Sequence, residues 1–225
     1  MAMKYRAFWE ALVVSLFIFG LGFVLGVLLE NSRSQDLGVL YAQSETDLLD
    51  AQILSSMLEN SNYSCEKAIQ KNTEFGDKIY SDSVKLEEYS GSSQLSRLTD
   101  SQHRKYDLLR TIFWVNSIKI TEQCGKRFHT VVYLYDYNTD NIEEKSKQAV
   151  FSRALTELKE EFGSELILIP IAKNMGLSSL DLMLEKYSLT GTTILLDENQ
   201  VFSSVETLSN LKSKLASDRV SILLN

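Results

Sequence analysis

The feature that most constrains this chain is an uncharged stretch over residues 11–29, ALVVSLFIFGLGFVLGVLL, in which Ser15 is the only polar side chain. As a helix with about 1.5 Å of rise per residue, this stretch is about 29 Å long. That length is close to the ~30 Å hydrocarbon thickness of a bilayer. The sequence therefore predicts one membrane-spanning helix, with the lipid bilayer as its first partner.

The charges that flank this stretch predict its orientation. Lys4 and Arg6 precede it, whereas Glu30 and Asp36 follow it, so the positive-inside tendency places the N-terminus in the cytoplasm and the rest of the chain outside. A cleaved signal peptide is the alternative. The apolar stretch exceeds the usual core of ~7 to 15 residues, and the triplet at 32–34, Ser-Arg-Ser, is a poor cleavage site. We therefore expect an uncleaved, single-pass anchor in the cell membrane.

Two glycines in the span, Gly22 and Gly26, form a G-x-x-x-G pattern. Such a pattern lets two membrane helices approach closely. Glycine is also common in membrane helices without this role. A homodimer formed through this helix face and a span without such a contact both remain open.

Composition limits the kinds of partner and of architecture. The formal net charge is −7 and no basic stripe is present, which argues against binding to nucleic acid. One proline and ten glycines among 225 residues do not support a flexible linker architecture. We expect a cytoplasmic tip and anchor over residues 1–30, an extracytoplasmic helical region over 31–127, and a second folded domain over 128–225.

Apolar residues recur at helical spacing in three segments of the first extracytoplasmic region, residues 36–58, 65–89 and 99–123. A Ser-Gly-Ser-Ser loop at 90–93 separates the last two segments. The third segment carries two apolar stripes, one with Leu109 and Phe113 and one with Leu108 and Ile112. We therefore expect it to be the central helix, covered on two sides.

The two cysteines, Cys65 and Cys124, lie at similar distances from the loop that joins the second and third helices. In an antiparallel hairpin they meet at the open end, and in an oxidising compartment they form a disulfide. In the chain-entropy model, a closed loop of this length contributes ~4 kcal/mol. Two free buried thiols are the alternative if the domain faces the cytoplasm.

Asn62 begins an Asn-Tyr-Ser sequon and is a candidate glycosylation site.

From residue 129 onward, strand and helix patterns alternate. The strands are predicted at 130–135, 165–172, 192–196 and 201–203, and the helices at 142–162, 177–187 and 204–215. The order β-α-β-α-β-β-α is an α/β arrangement with two parallel crossovers followed by a hairpin. A final segment at 219–225, RVSILLN, either adds a strand or packs on the helices.

This order, with these lengths, resembles the thioredoxin fold. Together with the anchor, the Ser-Cys-Glu at 64–66 and the late Cys124, it is similar to a group of poorly characterised archaeal membrane-anchored thioredoxin-like proteins. In that fold, a redox Cys-x-x-Cys lies between the first strand and the first helix, and a cis-proline precedes the third strand. This chain has no cysteine between the first strand and the first helix, and Thr192 stands where the cis-proline is expected. The degenerate redox positions between that strand and that helix are Asn138, Thr139, Asp140 and Asn141.

Thiol–disulfide exchange needs an attacking thiolate and a second thiol that resolves the mixed disulfide. The resemblance therefore implies a retained fold and binding groove without redox catalysis. His103 and His129 lack metal-ligand spacing with cysteines or carboxylates. The acidic residues between 136 and 144 lack the pattern of a calcium loop. No catalytic, metal or cofactor residue is predicted.

These inferences converge on a mixed helical and α/β protein, with a transmembrane helix, a helical hairpin region and a thioredoxin-like domain. We expect an extracytoplasmic binding or scaffold protein that is not an enzyme, with another protein as its partner. One alternative is an accessory oxidoreductase in which Cys65 and Cys124 exchange with a client. Another is a structural subunit of a membrane assembly, held through Gly22, Gly26 and the hairpin.

Overall fold

The computed structural model describes residues 2–60, 63–89 and 96–223. Three helices come first: α1 (Ala2–Asn60), α2 (Cys65–Tyr89) and α3 (Ser96–Cys124). At about 1.5 Å per residue, α1 is about 88 Å long, and it crosses the expected boundary at residue 30 without a break. The predicted glycosylation site Asn62 and the Ser-Gly-Ser-Ser loop lie outside the described residues.

The apolar part of α1 has the dimensions of a membrane span. It covers Phe8–Leu29, has a mean hydropathy of 2.8, and is not buried inside the protein. Its large side chains, among them Phe19 and Phe23, are exposed. A helix of this length and composition is suited to a hydrocarbon environment.

Helix α3 packs against α1 and α2 and also against the sheet. One core cluster joins Leu58 of α1, Ile79 of α2 and Trp114 of α3 to side chains from the sheet, including Val132 and Ile169. The prediction that α3 is covered on two sides is therefore confirmed. The predicted pairing of Cys65 with Cys124 is also present as a disulfide, with the Cα atoms 5.6 Å apart.

The second part of the chain is built around a four-stranded sheet. Its strands are β1 (His129–Tyr135), β2 (Leu166–Ala172), β3 (Thr193–Leu196) and β4 (Gln200–Phe202), in the spatial order β2-β1-β3-β4. Strands β1 and β2 are parallel, with His129 paired to Leu166, and β3 is antiparallel to both β1 and β4. The first predicted parallel crossover is therefore present, whereas the second is wrong, because β3 runs opposite to β1 and β2. Pro170 lies in the edge strand β2, where a missing backbone donor is tolerated.

Helices cover both faces of this sheet. They are α4 (Ile142–Phe162), α5 (Ser178–Lys186) and α6 (Leu208–Leu223). Because successive strand residues point to opposite faces, Val131 packs in the cluster that contains residues of α4 and α6. Its neighbour Val132 packs in the cluster that contains residues of α3 and α5. The result is a three-layer arrangement in which α3 shares one face of the sheet with α5.

The C-terminal segment differs from one of its two expected forms. Residues 219–223 continue α6 as a helix, so of the two alternatives that the sequence left open, these residues do not form an added strand. The sequence there, RVSIL, is rich in β-branched residues, but strand propensity depends strongly on the tertiary context. Residues 224 and 225 lie outside the described part of the chain.

Candidate functional site

The loop between β1 and α4, residues 136–141, lies at the carboxyl end of the parallel pair β1–β2. It contains the four degenerate redox positions named above. Asn138 has a φ of 52°, a left-handed conformation that asparagine adopts more readily than most residues. Asn141 caps α4: its Oδ1 accepts from the backbone N–H of Glu143 at 2.9 Å and of Glu144 at 3.3 Å. The Asn141 side chain thus accepts hydrogen bonds from two backbone N–H groups in the first turn of α4, which have no partner within the helix.

Thr192 lies against the first turns of α4, beside this loop. Its side chain is buried, with 1% of its surface exposed. The Thr192 hydroxyl donates to Glu144 Oε2 at 2.7 Å and accepts from Gln148 Nε2 at 3.3 Å. The structure therefore brings Thr192 to the beginning of α4, where its hydroxyl meets a carboxylate and an amide group.

The other side of the loop is held by the segment that follows β2. The Tyr137 N–H donates to Asn174 Oδ1 at 2.8 Å, and Asn174 Nδ2 donates to the Tyr137 carbonyl at 2.8 Å. Lys173 forms an ion pair with Asp136. The ring of His103, on α3, lies 4.3 Å from the ring of Tyr137. Burial lowers the pKa of His103, which favours its neutral form in this stack.

A buried carboxylate on α3 fixes the same end of the sheet. Asp107 is fully buried, and its Oδ1 accepts from the backbone N–H of Ala172 at 3.2 Å and from Arg110 Nη1 at 3.1 Å. Burial raises the pKa of Asp107 to about 6, against the lowering effect of Arg110. The N-terminal half of α3 is therefore a structural part of the loop region, which the sequence did not indicate.

A second polar cluster lies at the opposite end of β1, and sequence reasoning missed it. Asp197 Oδ2 lies 2.8 Å from His129 Nδ1 and 2.8 Å from Lys126 Nζ, and Asp197 Oδ1 accepts from the Thr130 N–H at 3.0 Å. Burial acts to raise the pKa of Asp197, but the hydrogen bonds from His129 and Lys126 outweigh it and lower the pKa. His129 was expected to be an ordinary surface or packing residue; it is 1% exposed and lies beside a carboxylate.

This cluster also has the composition of a metal site. His129, Asp197 and Asp218 each place one ligand atom within 4.8 Å of the others. Lys126 Nζ, however, lies 2.8 Å from Asp197 and 3.9 Å from Asp218. Because the lysine ammonium already supplies the positive charge between the two carboxylates, the arrangement fits an ion-pair network that ties α6 to the sheet. The three residues come from distant segments, so spacing alone did not reveal them.

The hairpin between β3 and β4 is joined to α3 by a half-buried acid. Glu198 Oε1 accepts from Trp114 Nε1 at 2.9 Å, and Trp114 is fully buried. Burial raises the pKa of Glu198 to about 7. Asp197 and Glu198 have φ values of 48° and 58°, a strained conformation for residues other than glycine. Their side-chain hydrogen bonds hold the turn in this form.

The sulfur atoms lie far from the β1–α4 loop. Cys124 ends α3, about 30 Å along the helix from His103 at 1.5 Å of rise per residue. Both cysteines are in the disulfide. Gly22 and Gly26 lie on the span with open space beside them. The loop therefore offers hydroxyl, amide and carboxylate groups for contacts, and no thiol for exchange.

The chain matches no protein family model, no curated protein and no solved structure.

Proposed function

We propose that this chain is a membrane-anchored, extracytoplasmic protein whose thioredoxin-like domain binds another protein without redox catalysis. The observation that carries the proposal is the combination of the sheet order β2-β1-β3-β4 with a β1–α4 loop that lacks cysteine. The chain order of strands and helices, and the edge position of β2 in the sheet, support the thioredoxin-like part of the proposal. The two cysteines that the resemblance would place in this loop are absent, and residues 138–141 are Asn, Thr, Asp and Asn.

The arrangement of the helices supports the thioredoxin-like part of the proposal. Helices α4 and α6 pack on one face of the sheet, and α5 packs on the other. Thr192, which stands where a cis-proline is expected, lies beside the start of α4. Together with the parallel pair β1–β2 that α4 connects, these features support a thioredoxin-like arrangement.

The hydrogen bonds of the loop support a binding role over a catalytic one. Asn141, Thr192 and Asn174 are each bonded to neighbouring groups of the same chain. Such a loop is held rigidly, and a rigid surface loses little conformational entropy when a partner binds. A nucleophile, by contrast, needs an adjacent base that activates it, and thiol exchange needs two sulfur atoms.

A reductase assay with matched variants tests this proposal. The full chain in detergent should reduce a disulfide substrate no faster than the Cys65→Ala/Cys124→Ala variant. The positive control places cysteines at Asn138 and Asn141, which have the Cys-x-x-Cys spacing in the loop. We expect the Asn138→Cys/Asn141→Cys variant to gain activity. Wild-type activity would overturn the non-catalytic assignment, and no gain in the double variant would argue against a thioredoxin-like loop.

Labelling of the cysteines tests the location. In intact cells, a membrane-impermeant maleimide should modify Cys65 and Cys124 only after a reductant has opened their disulfide. Modification that requires cell lysis would place the domain in the cytoplasm and contradict the proposed topology. A Ser64→Cys variant, at an exposed neighbouring position, is a matched control because its new thiol should react without reductant.

A second candidate function is an accessory thiol–disulfide oxidoreductase that uses Cys65 and Cys124. The exposure of Cys65 favours it, because a small reductant or a client thiol can reach that sulfur. Equilibration with glutathione buffers separates the two candidates. A structural disulfide should stay closed across the buffer range, whereas an exchanging one should open within it.

A further inference from the structure

Strand β2 is an edge strand without a single charge. Its seven residues, LILIPIA, are leucine, isoleucine, proline and alanine, and β2 has a neighbouring strand, β1, on one side only. The backbone groups on its other side can pair with a strand of another chain. Apart from Pro170, this composition is typical of segments that associate with copies of themselves. A sheet with such an edge needs protection there.

The hydrogen bonds of β2 show which of its backbone groups face outward. The N–H of Lys173, the residue after the strand, donates to the Tyr135 carbonyl of β1 at 2.9 Å. Because the backbone groups of successive strand residues point alternately to the two sides, the odd-numbered residues of β2 bond to β1. The even-numbered residues therefore face the open edge. They are Leu166, Leu168, Pro170 and Ala172.

Three of these four residues have no N–H group available to another strand. The Leu166 N–H donates to the Gly163 carbonyl. Pro170 has no N–H. The Ala172 N–H donates to Oδ1 of the buried Asp107 at 3.2 Å. Strand addition depends on main-chain hydrogen bonds, and within these four residues a single edge-facing donor is left for it. The edge is therefore a poor template for a further strand.

A lysine of α4 covers an acceptor on the same edge. Lys159 Nζ donates to the Leu166 carbonyl at 2.6 Å and to the Gly163 carbonyl at 2.8 Å. The bond to Gly163 belongs to the end of α4, where lysine side chains commonly bond the last carbonyls. The bond to Leu166 reaches beyond the helix to the start of β2. Burial lowers the pKa of Lys159, so the ammonium group holds this place at a cost in hydration.

We propose that Lys159 is a gatekeeper which, with Pro170 and Asp107, closes the edge of β2 against pairing with β2 of a second copy. Lysine and proline protect sheet edges in this way, because a strand that pairs there must displace a charge and finds a donor missing. The closure goes beyond the binding role proposed above and does not depend on it, since β2, α3 and α4 alone build it. A protein partner then binds elsewhere than by strand addition at β2.

The mass of the full chain in detergent, measured at rising protein concentration, tests the gatekeeper. Lys159→Met removes the ammonium group and frees the Leu166 carbonyl. We expect the association constant to rise about tenfold, the factor that corresponds to one hydrogen bond of about 1.4 kcal/mol. Lys145→Met, at an exposed position of α4, changes the net charge equally and should keep the wild-type mass. Lys159→Arg, which keeps a donor in place, should also keep it.

Pro170→Ala tests the same edge with Lys159 in place, because it returns an outward N–H to the middle of β2. It should also raise the association constant, and hydrogen exchange in β2 should slow in the associated form. Wild-type mass in both Lys159→Met and Pro170→Ala would overturn the proposal and leave a lysine that only ends α4. Equal association in Lys145→Met, or association without slower exchange in β2, would also overturn it, since the contact would then lie elsewhere.

Discussion

Replacement of both Cys65 and Cys124 by alanine should lower the free energy of unfolding by up to about 4 kcal/mol. The disulfide joins residues that are 59 positions apart, and in the chain-entropy model a closed loop of this size restricts the unfolded chain by that amount. The bond joins the first residue of α2 to the last residue of α3. Its loss should therefore loosen α2 first, while β1 stays protected within the sheet.

Urea unfolding of the full chain in detergent, followed by circular dichroism, measures this change. A reductant should lower the midpoint of the wild type almost to that of the double variant, and it should leave the double variant unchanged. Hydrogen exchange should show the largest acceleration in α2. If reduction leaves the wild-type midpoint unchanged, the entropic account of this disulfide is refuted; if exchange accelerates equally in α2 and β1, the disulfide acts only on global unfolding and does not hold α2 locally.

Two further predictions concern buried sites. In Gly76→Ala, the added Cβ would lie 2.5 Å from Cζ of Phe113. Overpacking of about 1–3 kcal/mol should therefore exceed the gain of about 1 kcal/mol in helix propensity. Urea unfolding should show lower stability, and the second substitution Phe113→Leu in the same chain should restore that stability. Burial raises the pKa of Glu198 from 4.5 to about 7. Between these pH values, the folded state retains a proton that the unfolded state releases. The free energy of unfolding should therefore fall by up to about 3 kcal/mol as the pH rises through this range. Glu198→Gln, which keeps an acceptor for Trp114, should make that decline smaller in unfolding curves measured at pH 5 and pH 8, and Asp107, whose pKa is raised to about 6, should account for a remaining decline; a decline as large as that of the wild type would contradict the assignment to Glu198.

Local patterns predicted most of the elements and one long-range contact. The span, the three helices and the strand order follow from the period of the apolar residues, because a helix and a strand each bury one face at a fixed repeat. The disulfide between Cys65 and Cys124 followed from the symmetry of a hairpin about its loop. The resemblance marked Thr192 only as the residue at the expected proline position, and its hydrogen bonds to Glu144 and Gln148 became visible in the tertiary structure.

The contacts that join the two parts of the chain were not predictable in this way. Asp107 bonds to Ala172, and Trp114 bonds to Glu198, although nothing in the spacing of these residues pairs them. The same holds for His129 and Asp197. Each pair forms because α3 packs on the sheet, and a polar group that is buried by such packing must find a partner there or lose stability.

The sequence by itself determined that the chain has one apolar helix of membrane length, a disulfide-closed hairpin and an α/β region without a redox motif. Tertiary structure alone decided that α3 belongs to both folded parts, that residues 219–223 are helical, and which face of α1 stays open. The physical reason is that periodicity reports which residues of an element are buried. What they are buried against depends on how distant elements pack.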